Sequence, residues 1–151
     1  MKKHLFILLS LLLLSYTGCI NKDKSQNNDN VSLKKINVDV DLTILSSTMV
    51  YAEVFNIMSK PDNYLGKTIK LNGLFYSSYY DENNTMYYYV VITDATSCCP
   101  QGLEFIWNGE RKYPEDYPEE RSKIEVTGIF SSYDEFGETY YHLLVEDLRI
   151  L

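Results

Sequence analysis

The sequence predicts a mainly β domain, a small five-stranded barrel preceded by one amphipathic α-helix, set behind an N-terminal signal peptide and a flexible tether. Three observations lead there. From about residue 67 onward, five runs alternate apolar and polar side chains, the pattern of strands that bury one face. Gly73 and Gly128 fall inside the first and fourth of those runs, where a mid-strand glycine permits the bend or bulge that a barrel corner requires. Ahead of them a single stretch, Met49 to Met58, changes to helical period. A small β-sandwich with one helix is the alternative arrangement.

The chain opens with Lys2 and Lys3, followed by an apolar run from Leu5 to Leu14 broken only by Ser10. That run is too short to span a hydrocarbon core of about 30 Å, so it reads as the apolar centre of a removable signal peptide over residues 1–18. Tyr16-Thr17-Gly18-Cys19 follows and resembles the lipobox of bacterial lipoprotein signal peptides, in which small residues precede an invariant cysteine. Tyr16 departs from the leucine usual there. The resemblance implies diacylglycerol on the Cys19 thiol, which makes membrane lipid one expected partner. It also implies a location on the extracytoplasmic side of the cell membrane. Acyl chains anchor by about 0.8 kcal/mol per buried methylene, so a multiply acylated cysteine holds a protein on a bilayer.

Loss of Lys2 and Lys3 from 14 basic residues leaves 12 against 21 acidic ones, a net charge of −9. So acidic a chain is unsuited to nucleic acid, whose binding rests on neutralising phosphates. Residues 19–35 comprise the cysteine and a polar Asn-, Lys- and Asp-rich segment without hydrophobic period. Such a segment buries too little to offset its ordering entropy and reads as a flexible tether. The folded domain is then 36–151.

Ile36, Val38, Val40, Leu42 and Ile44 alternate with polar residues, which fits an edge strand laid on the domain or a solvated arm. Ser46-Ser47-Thr48 supplies hydroxyls suited to a helix N-cap. Val50, Val54, Ile57 and Met58 then fall on one helical stripe, widened by Tyr51 and Phe55, and Pro61 ends the helix near Lys60. The five strand runs are Lys67 to Tyr76, Thr85 to Asp94, Leu103 to Trp107, Lys123 to Ser131 and Glu138 to Ile150. Asp81 to Asn84 and Tyr133 to Gly137 provide two hairpin connections.

The number and spacing of these runs resemble the OB-fold, a five-stranded Greek-key barrel. That fold commonly carries a helix between its third and fourth strands. Here the segment Asn108 to Ser122 contains Pro114 and Pro118, so a loop or a single turn is expected instead. Pro61-Asp62-Asn63-Tyr64-Leu65-Gly66-Lys67, Cys98-Cys99-Pro100-Gln101-Gly102-Leu103-Glu104-Phe105 and Pro114-Glu115-Asp116-Tyr117-Pro118 carry a further resemblance. They are similar to a family of uncharacterised exported bacterial proteins and lipoproteins that pair a Pro-x-x-Tyr-x-Gly-Lys stretch with a Cys-Cys-x-x-Gly-Leu-Glu-Phe loop. The likeness runs from about Val50 to the C-terminus and implies an OB-like domain outside the cytoplasm, with no established activity.

The candidate functional loop is Cys98, Cys99, Gln101 and Glu104, expected in the turn between the second and third strands. Adjacent Cα atoms lie about 3.8 Å apart, below the usual span of about 4.4–6.8 Å for a disulfide, so a Cys98–Cys99 bridge would be strained and easily reduced. The same thiols are soft ligands for zinc or copper, with His142, Asp94 and Glu104 as additional candidates. The Cys-x-x-Cys spacing of structural zinc sites is absent, however. There is no G-x-S-x-G, HExxH or phosphate-loop motif, and His142 is the sole histidine beyond the signal peptide. Tyr76, Tyr79, Tyr80, Tyr87, Tyr88, Tyr89, Tyr140 and Tyr141 cluster on the first and last hairpins. Alternate tyrosines are expected to complete the barrel core while the others cover strands; the alternative is an aromatic face that stacks a sugar or peptide. The sequence is therefore read as a lipid-anchored binding or interaction module rather than an enzyme, with a protein, peptide or sugar ligand and no required cofactor. The competing class is a thiol-redox or zinc- or copper-binding protein using Cys98 and Cys99.

Overall fold

The computed structural model describes residues 36–94, 96 and 99–151; the segments expected as signal peptide and tether, with Cys19, and also Cys98 lie outside the described residues. The elements are β1 (Val40–Asp41), α1 (Ser47–Ser59), a 3-10 turn (Pro61–Asn63), β2 (Thr68–Tyr80), β3 (Thr85–Thr93), β4 (Pro100–Trp107), β5 (Lys123–Glu135) and β6 (Glu138–Ile150). The protein is mainly β with one α-helix among the described residues.

The six strands form one sheet in the order β1-β2-β3-β4-β6-β5, and β2 also pairs with β5. The pairings thus run from β2 through β3, β4, β6 and β5 back to β2. Only β1–β2 and β4–β6 are parallel. Besides β1, β2 serves two partners along its length: Thr68 to Leu74 face Ile129 to Lys123 of β5, and Leu74 to Tyr80 face Val91 to Thr85 of β3.

Two glycines make the backbone contacts of this arrangement possible. A Cβ on Gly73 would sit 2.7 Å from the Val91 carbonyl oxygen, and one on Gly128 would sit 2.6 Å from that of Leu144. At Gly128 the β5–β6 register steps from Thr127↔Asp147 to Gly128↔Val145, leaving Glu146 as the extra residue of a bulge. The bulge reverses which face β6 presents. Leu143 and Val145 turn into the core, and His142 and Tyr140 turn to the opposite face.

The core draws on β2 to β6 and on α1, with Phe75, Phe105 and Phe130 almost wholly removed from solvent. Each such side chain contributes about 1.5–3 kcal/mol relative to exposure. α1 buries Val54 and Ile57, with Val50 and Tyr51 partly covered. The helical stripe is narrower than the sequence reading had it: Phe55 and Met58 are 57% and 43% exposed. Each lies about 100° round the helix from its buried neighbour, beyond the edge of the sheet contact. Ser46 occupies the N-cap position in extended conformation, but its side chain makes no capping hydrogen bond.

The alternating segment before the helix contributes the two-residue strand β1 at the edge of the sheet, the edge-strand arrangement of the two expected for it. Its chain then turns back on Asp41, whose carboxylate accepts from the Thr43 N–H at 2.9 Å and hydroxyl at 2.6 Å. That hydrogen bonding, led by the Thr43 hydroxyl, holds the Asp41 carboxyl below its ordinary value. β2 and β5 run four residues past their expected ends, and β4 begins at Pro100 rather than Leu103. Pro100, Gln101 and Gly102 are accordingly strand, paired with Thr93, Ile92 and Val91, and not part of a turn.

No helix forms between β4 and β5. The segment instead packs by its aromatic rings: Tyr117 stacks on Tyr88 with ring centroids 4.0 Å apart and meets Trp107 edge-on at 5.7 Å. The Arg111 guanidinium lies 3.7 Å from the Trp107 ring centroid. Backbone bonds from Phe75 to Ser122 and from Arg121 to Phe75 fasten the segment's exit.

The contacts at Gly128 are all backbone atoms and cannot yield, whereas a Cβ on Gly102 would meet nothing closer than 3.4 Å. Gly128→Ala is therefore expected to cost about 1–3 kcal/mol or more, the range for overpacking, and Gly102→Ala to be nearly neutral. Urea unfolding midpoints of the two variants test this; equal midpoints would contradict the close approach.

Candidate functional site

β4 places Leu103 and Phe105 in the core, so Glu104 between them points to the opposite face. β3 does the same with Val90 and Ile92 inward and Tyr87 and Tyr89 outward, and the extended end of β5 adds Tyr133 and Glu135. These residues border an open cavity of about 270 Å³, flanked at the hairpin tips by Tyr80, Phe136 and Tyr140. A second hollow of about 280 Å³ is bordered by the same Tyr87, Glu104, Tyr133 and Glu135, so these four residues stand at the middle of a longer groove.

The polar groups are linked in pairs. The Tyr133 hydroxyl donates to the Glu104 carboxylate, lying 3.0 and 2.9 Å from its two oxygens. The Tyr87 hydroxyl donates to Glu135 Oε2 at 2.6 Å, and Asn83 Nδ2 donates to Glu135 Oε1 at 2.8 Å. Asn83 also donates to the Tyr87 hydroxyl. The last contacts tie the β2–β3 turn to the end of β5, and Tyr80 meets Phe136 edge-on at 5.9 Å across the same gap.

Burial dominates the acid–base behaviour of this face. It raises Glu104 above the ordinary glutamate value; the Tyr133 hydrogen bond opposes the rise and the nearby Glu135 charge adds to it. Tyr133 is pushed up by burial and then by its bond to Glu104. Tyr87 is raised by burial and by Glu135, and Tyr89 by burial and by the Glu104 charge. All three phenols therefore keep their protons at neutral pH. None of the residues bordering the cavity is basic.

The residues singled out from sequence fall in different places. Cys19 and Cys98 lie outside the described residues. Cys99 is exposed just before β4, its N–H 3.5 Å from an Asp94 carboxylate oxygen. Gln101 is half-buried in β4, and its buried Oε1 has no hydrogen-bond partner. Glu104 alone of that group borders the cavity. His142 is the register partner of Glu104 across the β4–β6 ladder and lies under the Tyr133 ring, with centroids 5.3 Å apart. Its Nδ1 is buried without a partner, and burial lowers its pKa. Along the extended strand, Glu104 and hence His142 stand about 16 Å from Cys99. Among the described residues no three His, Cys, Asp or Glu side chains gather as a metal site.

Sequence reasoning missed Tyr133 and Glu135. Both fall in the segment that reads as the turn after Ser131, whereas β5 continues to Glu135; the alternation Ile129, Ser131, Tyr133, Glu135 is the signal for it. No protein-family model matches the chain, and no match was found among curated proteins.

The two buried titrating groups impose opposite pH slopes. Glu104 is raised in the folded state, so its favourable contribution is present below its ordinary value, near 4.3, and is lost as pH rises through the folded value. His142 is lowered, so its contribution is present above about 6.5 and is lost as pH falls through the folded value. The stability of Glu104→Gln relative to the parent is expected to grow as pH rises from about 4.3, and that of His142→Gln to grow as pH falls from about 6.5. Urea midpoints across pH 4 to 8 read both; parallel slopes for the two variants would contradict the assignment.

Proposed function

We propose that the chain is an extracytoplasmic membrane lipoprotein, anchored through acylated Cys19, whose β domain is an OB-type barrel that binds a ligand in the groove beside Glu104 and Tyr133. The observation that carries this reading is the pairing order. Strands β2, β3, β4, β6 and β5 close on themselves with β4 and β6 parallel, as in a five-stranded Greek-key barrel. In such barrels the face of the second and third strands binds ligands, together with the loops that follow the first and the fourth. Here that face is formed by β3 and β4. The corresponding loops are the β2–β3 turn, through Tyr80, and the β5–β6 turn, through Phe136, and both border the cavity.

Binding rather than catalysis is supported by the chemistry of the groove. Its tyrosine hydroxyls are held protonated, its carboxylates are engaged by hydroxyl and amide donors, and the one nearby imidazole is buried against a tyrosine ring. The groove also carries the rings through which a sugar or a peptide would stack. The lipobox-like Tyr16-Thr17-Gly18-Cys19 supports the anchor and the location.

Two measurements test the proposal. Cys19→Ala is expected to move the protein out of the membrane fraction and to abolish labelling by a fatty-acid analogue; retention in the membrane would refute the anchor. In protein-observed NMR with a panel of sugars, amino acids and amines, amide shifts are expected to centre on Tyr87, Tyr89, Glu104 and Tyr133. Shifts centred elsewhere, or none with any member, would refute the groove.

A further inference from the structure

We propose that the groove takes a protonated amine, an alkylammonium or guanidinium group seated among the tyrosine rings with its N–H donors directed at Glu104 and Glu135. The inference rests on the groove being the binding site and adds the chemical class of what enters it.

The charge inventory is the first argument. Glu104 and Glu135 are both half-buried, and their hydrogen-bond donors are neutral: Tyr133 for one, Tyr87 and Asn83 for the other. The ion pairs of the described residues join Lys70 and Arg149 to Glu125 and Asp147, away from both. Glu135 lies close enough to Glu104 to raise its proton affinity, and ionising Glu104 in a partly desolvated site beside a second carboxylate is costly without a cation. An ionised carboxylate offers about four acceptor positions. One phenol on Glu104, and one phenol and one amide on Glu135, leave positions open on each.

The second argument is the wall. Tyr87, Tyr89, Tyr133, Tyr140 and Phe136 surround the two acids. Aromatic faces carry negative potential and attract a cation, more strongly where water is excluded. Among the described residues no basic side chain borders the cavity to compete for that attraction. An anionic ligand would meet two carboxylates at close range, and a neutral one would leave them without a counter-charge. N–H donors favour a primary amine or guanidinium over a quaternary ammonium, which has none to give the carboxylates.

The same group can arrive on a free polyamine or on a Lys or Arg side chain of a peptide, and the arms of the test separate these sources. Full-length protein in non-ionic detergent is titrated with n-butylammonium, agmatine, tetramethylammonium, n-butanol and butyrate, and then with 1,5-diaminopentane against Gly-Lys-Gly and Gly-Arg-Gly, following amide shifts by NMR. Butylammonium and agmatine are expected to shift Glu104, Tyr133 and Tyr87 and to bind at least tenfold more tightly than butanol or butyrate. Glu104→Gln and Glu135→Gln are each expected to weaken butylammonium by about tenfold, the scale of one charge-assisted hydrogen bond. Glu135 lies at the hairpin end, so its variant serves even if Glu104→Gln does not fold. Tighter binding of the diamine assigns a free amine, and tighter binding of the tripeptides a peptide side chain. If butanol or butyrate binds the groove as well as butylammonium, or if both carboxamide variants leave butylammonium binding unchanged, the cation assignment is overturned while the groove stands. If no probe shifts the groove, both fall together.

Discussion

The contact between Gly128 and the backbone of β6 governs more of this domain than any side chain does. A Cβ there would lie 2.6 Å from the Leu144 carbonyl oxygen, so only glycine permits β5 and β6 to approach. The bulge at the same point inserts Glu146 and shifts the side-chain parity of β6 by one residue. Without that shift Leu144 and His142 would face the core and Leu143 and Val145 would face out. With it, two aliphatic residues complete the interior beside Phe130, and His142 and Tyr140 come to lie beside Glu104 and Tyr133. The hydrophobic core and the outer groove are thus two consequences of one register step.

The length of the hairpins follows from the same closure. β2 must reach β5 with its first half and β3 with its second, so it runs thirteen residues and carries its turn beyond the ring of pairings. β5 is also thirteen residues long and pairs with β6 as far as Glu135↔Glu138. The two projecting turns meet through Asn83 and Glu135 and through Tyr80 and Phe136, and the space beneath them is the cavity. The groove arises from strands that outrun their neighbours.

Most of the fold was legible in the sequence because it is written in alternation. The five long strands, the mid-strand glycines, the single helix and the loop containing Pro114 and Pro118 all follow from local pattern. The division of the tyrosines followed only in part: of the eight on the first and last hairpins, Tyr88 and Tyr141 pack against the core. Tyr88 joins Phe75, Phe105 and Tyr117 inside, while Tyr87 and Tyr89 face the groove. The site was less legible. Cys98 and Cys99 drew attention because rare residues stand out in a sequence, whereas Tyr133 and Glu135 resemble turn residues until β6 pairs with them. The relation of Glu104 to Tyr133 spans 29 positions and depends on the bulge, which no local pattern encodes. The exposure of Phe55 and Met58 likewise depends on how far the sheet extends beneath α1, a tertiary fact.

What burial does to the groove bears on how it would receive a charge. Glu104 is raised and His142 lowered, so both are drawn toward their neutral forms, and the phenols of Tyr87, Tyr89 and Tyr133 are held protonated. The resting face is therefore a set of oriented hydroxyl donors around two acids, of which Glu104 is reluctant to ionise. A cation entering it would reverse that reluctance at Glu104, because a nearby positive charge favours the carboxylate as burial disfavours it. Tyr133 is already directed at both Glu104 oxygens and Tyr87 at Glu135, so the donors that steady the ionised form need not move. Preorganisation of this kind lowers the reorganisation cost of binding and ties affinity to the position of the hydroxyls, which is set by the β5–β6 register and thus again by Gly128.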